Sequence, residues 1–371
     1  MDVNICHLTS VHPRNDTRIY HKELMSLKAA GNQVTLIVAD GKGNETTSDG
    51  IDILDVGKAS GRLSRILKTR KKVFILALNQ NAQVYHFHDP ELLPYGVRLA
   101  GKGYKVIYDA HEDLPRQILS KYWINKPLRK LLSVLSEKFE NYYSKRVSHI
   151  ITATDFIRDR YKKINPNVST VKNYPVHKDS LIEIDESVSK VNEISYIGAI
   201  AQVRGITELV KSLALCKNDI RLNLAGNFSP PEYKEELSQF DGWEKVNVIG
   251  FADREKVREL LERSFAGVVT LHPIINYRDA LPVKLFEYMA AGIPVVSSDI
   301  PLWKQIVDDA ECGICVNPLD PSELATAIDF LYENPEKVKT MGEKGQQAAI
   351  KKYSWEQEEK YLLDAYEKTI N

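Results

Sequence analysis

The chain is short of cysteine, has no net charge and lacks a long apolar run, and each shortage narrows what it does. Four cysteines in 371 residues make no disulfide framework. Cys312 and Cys315 form a C-x2-C without the second pair or histidine cluster that a zinc or redox centre needs, so they read as a turn into a buried strand, Gly313 to Val316. No apolar stretch approaches the ~20 residues that span a bilayer. Met1 to His7 lacks a basic-then-apolar leader, and the expected location is cytoplasmic. The first strand-to-helix loop, His12 to Arg18, has no G-x-G-x-x-G, which weighs against a nicotinamide enzyme. No low-complexity tract is present, and 43% hydrophobic with 27% charged residues is a globular composition.

The zero net charge hides a division. Residues 1–180 carry 29 Lys+Arg against 18 Asp+Glu, or +11; residues 181–371 carry the remaining 21 against 32, or −11. Such a split supports two domains with different partners, as does a length of 371 residues. Much of the basic excess lies in a helix-patterned stretch, 61–75, with Arg62, Arg65, Lys68, Arg70, Lys71 and Lys72 beside Leu63, Ile66 and Leu67. It suits an anionic membrane surface or a solvated charged face equally. Nucleic acid is a poor partner, since no aromatic-and-basic motif accompanies the charges.

Strand and helix patterns alternate throughout, which argues for parallel sheets covered on both faces. The spacing predicts strands at Val3–Leu8, Val34–Ala39, Ile51–Val56, Val84–Phe87, Lys105–Tyr108 and His149–Ala153, with helices at Arg18–Ala30, Leu92–Ala100 and near Leu128–Lys145. The pattern pauses after Val171 and an acidic, polar stretch follows. It restarts with strands at Glu193–Ile197, Arg221–Leu224, Val246–Ile249, Gly267–Leu271, Val295–Ser297 and Gly313–Val316, and ends in helices near Glu336–Lys352 and Trp355–Ile370. The division is therefore 1–175, a linker 176–192, and 193–353: two doubly wound α/β halves that place ligands at the carboxyl ends of their strands.

The segment with most chemistry is Asp279 to Val296. Asp279 and Glu287, eight residues apart, bracket the start of a predicted helix, Leu281 to Ala290. A helix N-terminus offers unpaired N–H groups and a partial positive charge to an anion, and flanking carboxylates accept hydrogen bonds from hydroxyls. Phosphate plus hydroxyls describes a sugar nucleotide; ordinary capping by Asp279 is the plainer alternative. His111 follows the strand Lys105–Tyr108, where it could donate to a hydroxyl or phosphate; Asp109 and Glu112 beside it are structural or orient it. His86 and His88 share a strand face, which invites a metal, but the rest of a metal site is missing. Asp89 fits a helix cap before Pro90. Asp16 fits an N-cap.

The segment 279–296 resembles the E-x7-E signature of the retaining glycosyltransferases of family 4. Asp279 stands where that family has its first Glu, and Glu287 matches the second. The resemblance runs over nearly the whole chain. It implies a GT-B fold: two Rossmann-like domains facing across a cleft that holds the active site, with a C-terminal helix, 354–371, crossing back to the N-terminal domain. By the same resemblance, Gly198 and Arg204 belong to a diphosphate-binding loop in which Ala199 replaces an expected Arg, and Lys284 supplies the missing charge. Leu281, Pro282 and Val283 give backbone amides to the diphosphate, while Gly250 and Phe251 approach the nucleotide. His111, Asp279 and Glu287 act on the transferred sugar and the ribose; Asp16, Arg18, His88 and Asp89 lie on the acceptor side. The implied reaction moves a sugar from a nucleoside diphosphate, UDP foremost, to a glycan or lipid-linked glycan in cell-surface polysaccharide synthesis, with no cofactor and no catalytic metal. A sugar-nucleotide epimerase and an inactive nucleotide-sugar-binding subunit are the rivals.

Overall fold

Short β-branched runs separated by amphipathic helices build two separate sheets. The computed structural model describes residues 3–176 and 191–371, so most of the expected linker, 177–190, lies outside the described residues. The chain divides into two compact units, Met1–Asn173 with Trp355–Asn371, and Tyr174–Ser354.

In the first unit the strands are β1 Asn4–Leu8, β2 Gln33–Val38, β3 Glu45–Thr46, β4 Asp52–Asp55, β5 Val84–Phe87, β6 Lys105–Ala110, β7 His149–Thr152 and β8 Val168–Thr170. They lie in the order β3-β4-β2-β1-β5-β6-β7-β8. The two-residue β3 runs antiparallel to β4; the other pairs are parallel. Because successive strand side chains point to opposite faces, Cys6, Leu8, Tyr85, Phe87 and Tyr108 enter one apolar core. His7 and His86, paired in register, take the other face. The helix Trp355–Ile370 belongs to this unit and reaches that polar face: the Tyr366 hydroxyl lies 2.8 Å from His7 Nε2 and 2.8 Å from His86 Nδ1.

The helix expected over Arg18–Ala30 differs in form. It opens as a π-helical turn, Ile19–Leu24, and continues as α-helix over Met25–Ala29. Asp16 Oδ1 accepts from the Arg18 and Ile19 amides at 2.9 and 3.0 Å, and the Glu23 amide donates to Arg18 O at 3.0 Å. The widened turn keeps Arg18 and Glu23 together inside the unit, where both are buried. Periodicity over the same residues carries no sign of it.

In the second unit β9 Glu193–Ile197, β10 Arg221–Ala225, β11 Val246–Gly250, β12 Ala266–Val269, β13 Val295–Ser298 and β14 Gly313–Val316 form a wholly parallel sheet in the order β11-β10-β9-β12-β13-β14. The order steps outward in both directions from β9 and β12, the doubly wound pattern whose ligand sites lie at the strand carboxyl ends. Cys312 is buried in an apolar cluster with Met289 and Trp303, and burial pushes its thiol up to about 12. That matches a structural cysteine. Among the described residues, no helix is long and apolar enough to cross a membrane.

Candidate active site

In the second unit the signature helix runs Val283–Ala290, two residues shorter at its start than the pattern suggests, because Pro282 is extended with φ −71° and ψ 117°. Its N-cap residue is Pro282, whose side chain accepts no hydrogen bond from the first amides. Tyr288 fixes the helix to the sheet by accepting the Ile197 amide at 3.0 Å. Lys284, one residue into the helix, is 8% exposed, and its Nζ has no hydrogen-bond partner among the described residues. It sits 3.8 Å from the centre of the Tyr196 ring. A Cβ placed on Gly198 would lie 3.1 Å from that ammonium, and Gly198 holds φ +134°, so the glycine leaves the space beside Lys284 open. Burial pushes the Lys284 pKa well down, the Arg204 charge adds to this, and Glu287, one turn along the helix, opposes it.

Arg204 is placed by the residue after it. Gly205 turns through φ +74°, and any Cβ there would be driven into the Thr270 carbonyl; the helix Ile206–Leu215 starts at once. Tyr196 donates to the Ala199 carbonyl at 2.8 Å, which shapes the loop between Gly198 and Arg204. Asp279 is half-buried in the loop before the helix, and the Trp303 indole anchors that loop by donating to Ala280 O at 2.7 Å. Gly250 has φ +76°, and Phe251 beside it is 80% exposed.

The first unit gathers polar groups at and near the ends of β1, β5 and β6. His7 Nδ1 and His88 Nε2 share a 2.9 Å hydrogen bond. On its other side His88 Nδ1 lies 3.1 Å from His111 Nε2 and 3.3 Å from Asp109 Oδ2. Asp109 Oδ2 is 2.7 Å from His111 Nε2, so the buried carboxylate orients the histidine. Arg18 donates to both Asp109 oxygens at 2.9 and 3.0 Å and to Val171 O at 2.9 Å. Burial acts against the charge on Asp109, but Arg18 and then His111 outweigh it and hold the carboxyl well below its usual range. His88 is lowered to about 4, chiefly by burial. Asp89 accepts from the Thr9 hydroxyl at 2.9 Å and the Ser10 amide at 2.6 Å.

That arrangement corrects one expectation. Arg18 is 3% exposed with its guanidinium committed to Asp109 and Val171, so it is a buried structural cation and not an acceptor contact. Cutting one member of a buried pair leaves the other uncompensated, at about 3–5 kcal/mol. Arg18→Met is therefore expected to lower the urea unfolding free energy by about that much, and Asp109→Asn in the same chain should recover a good part. A loss under about 1 kcal/mol would show that the pair is not what holds these strand ends.

Two sequence profiles match the chain: "Glycosyltransferase Family 4" over residues 22–173 and "Glycosyl transferases group 1" over residues 178–348. The chain belongs to glycosyltransferase family 4. Among curated relatives of this family 4 transferase is an MMP alpha-(1->4)-mannosyltransferase of Mycolicibacterium hassiacum, 23% identical over 299 residues, 76% of this chain and 70% of that protein. Another is an alpha-maltose-1-phosphate synthase of Mycolicibacterium smegmatis, 26% identical over 227 residues, 57% of each chain. Among solved structures, sucrose-phosphate synthase from Thermosynechococcus elongatus superposes with a TM-score of 0.79 at 15% identity, covering 98% of both chains. Anabaena HepE in complex with UDP follows at 0.74 and 14%, covering 98% of this chain and 99% of that one. These likenesses give the family 4 chain the GT-B fold.

Of the residues singled out in the sequence of this family 4 enzyme, Gly198, Arg204 and Lys284 come together, with Glu287 on the same helix as Lys284. His88 and His111 come together with Asp109, and Asp16 caps the turn after Thr17. Sequence reading missed His7, Glu23 and Tyr366. Strand alternation puts His7 on a defined face, but only the register of β1 against β5 brings it beside His86, and no local pattern carries register.

Proposed function

We propose that the second unit binds a nucleoside-diphosphate sugar, and that the enzyme transfers the sugar with retained configuration to a glycan or lipid-linked hydroxyl. The observation that carries this is Lys284: a buried ammonium with no hydrogen-bond partner among the described residues, beside Gly198, in the first turn of a helix. An unpaired buried cation is costly unless a ligand completes it, and the helix dipole favours the same anion. A diphosphate satisfies both, with Arg204 as second cation. Ala199 removes one arginine from the family's usual set, which leaves more of the charge to Lys284.

In this reading Glu287 accepts from the ribose hydroxyls and Asp279 from hydroxyls of the transferred sugar. The bond from sugar C1 to the diphosphate oxygen breaks as the acceptor oxygen bonds to C1 on the same face. The acceptor proton passes to the departing phosphate, and no enzyme nucleophile is required; positioning and charge stabilisation supply the rate. His111, oriented by Asp109, is the first unit's contribution, an assignment that rests on the family resemblance. UDP is the preferred nucleotide because Anabaena HepE, of similar fold, is solved in complex with UDP and with UDP-glucose. A thermal-shift screen over UDP-, GDP-, ADP- and CDP-sugars tests this, since a ligand of the folded state alone raises its stability with affinity. No shift with any of the four would overturn it. Conversion of the donor to an isomeric nucleotide sugar without acceptor would favour the epimerase instead.

Peripheral attachment to an anionic membrane belongs to the same proposal. The stretch 62–80 exposes Leu63, Leu67 and Ile75 beside Lys68, Lys71 and Lys72, while Arg65 is partly taken by Glu91 at 3.0 Å. The helix Lys126–Ser144 exposes Leu128, Leu131 and Leu135 near Lys126 and Lys130. Cosedimentation with anionic liposomes is expected, weakening with salt and reduced in a variant with Lys68, Lys71 and Lys72 all changed to Gln, at about 1 kcal/mol per cation. Equal sedimentation of variant and parent contradicts it.

A further inference from the structure

On the polar face of the first sheet, four side chains converge whose ligand atoms all lie within 4.8 Å of one another: those of His7, Glu23, His86 and His88. All four residues are buried, three of them completely. They come from β1, the π-helical turn and the end of β5, so the cluster exists only in the folded unit.

Hydrogen bonding alone does not account for them. A chain of bonds runs from the Tyr366 hydroxyl through His7 to His88 and on to Asp109, and it can be satisfied by choosing tautomers. It leaves three buried atoms over: both Glu23 oxygens and His86 Nε2 have no hydrogen-bond partner among the described residues. Arg18 Nε pairs with Glu23 Oε1 at 3.0 Å and also donates to Asp109, so one buried guanidinium serves two buried carboxylates. Glu23 thus shares its counter-charge with Asp109, and buried carboxylates are paired or bind metal.

We propose that His7, Glu23, His86 and His88 form a binding site for one divalent transition-metal ion, a structural centre of the first unit with zinc as its best-matched occupant. Three imidazoles and one carboxylate are borderline-soft ligands of the kind zinc, cobalt and nickel accept, and four buried ligands suit a closed tetrahedral site. Glu23 Oε2 stands 4.0 Å from both His7 Nδ1 and His88 Nε2. Those two nitrogens are 2.9 Å apart, so the observed edges fall on both sides of the roughly 3.3 Å edge of a tetrahedron with zinc–nitrogen bonds of ~2.0–2.1 Å. The outer shell is already built. His7 Nε2 and His86 Nδ1 both meet the Tyr366 hydroxyl, and His88 Nδ1 meets Asp109 at 3.3 Å, as ligating histidines do with their second nitrogen. The ion would tie β1, β5 and the π-helical turn together and, through Tyr366, the last helix to them. With no open position and no exposed ligand, the centre serves stability and not sugar transfer.

The test uses the untagged full chain, stripped with a strong chelator and dialysed against micromolar zinc. About one equivalent of zinc per chain is expected by elemental analysis, with a melting temperature above that of the stripped chain. Cobalt(II) added to the stripped parent should give the intense visible absorption of a tetrahedral site, a readout that needs no variant. Glu23→Gln and His86→Gln, with folding checked by circular dichroism, should each lose most of the bound metal, while Cys315→Ser keeps it. Less than about a tenth of an equivalent in the parent would overturn the proposal. So would a full equivalent in both ligand variants, or an octahedral cobalt spectrum.

Discussion

Lys284→Met will stabilise the unliganded protein and cripple donor binding together. The substitution keeps most of the volume and removes a buried cation that has no hydrogen-bond partner among the described residues. An unsatisfied buried polar group costs about 1–3 kcal/mol, and the Tyr196 ring 3.8 Å away offsets part of that. A gain of about 1–2 kcal/mol in urea unfolding is therefore expected. In the complex the same ammonium makes a charge-assisted bond to diphosphate, worth about 1.5–3 kcal/mol, so the dissociation constant for UDP should rise about 10- to 100-fold. The two signs together separate a ligand-binding lysine from a structural one, which would lose stability and leave affinity unchanged. The conflict between the two states is expected of a site shaped for its ligand.

Glu287→Gln will act differently. If the carboxylate accepts from ribose hydroxyls that keep their contacts throughout the reaction, the lost interaction is uniform. KM for the nucleotide sugar should rise about 10- to 100-fold with kcat changed much less. Steady-state kinetics with the donor found by the thermal-shift screen decide it. A fall in kcat at unchanged KM would move Glu287 from the ribose to the reacting sugar. Parent-like kinetics would remove it from the site. Asp279→Asn, at the sugar end in the same reading, should by contrast lower kcat.

Much of this architecture was legible in the sequence for physical reasons. Strands such as Val84–Phe87 and Glu193–Ile197 are short apolar runs between breakers, and their observed limits match the pattern. Three of the helices that escaped notice show two reasons. Arg254–Arg263 is dense in charge, so its buried Leu260 and Leu261 are masked by what surrounds them. Pro301–Ala310 and Pro321–Glu333 begin at proline, which suits a first helical position but also reads as a break. Gly198, Arg204 and Lys284 were singled out through the family resemblance, which picks out a loop and a helix start that each carry a local motif. The histidine cluster was not, since Glu23, His88 and Tyr366 meet only after the sheet register and the last helix are fixed. Arg18 shows the same limit: a loop-edge arginine looks solvent-facing until the widened turn carries it beneath the β6 end to Asp109.

The central claim is that Lys284, Gly198 and Arg204 hold a nucleoside diphosphate, and amide hydrogen exchange of the full chain with and without saturating UDP tests it most directly. Slowed exchange in peptides covering 197–206 and 281–290, with peptides of the sheet core 294–298 unchanged, is the result the account predicts. Protection confined to other segments, or no protection in either peptide at a UDP concentration that binds, would contradict it.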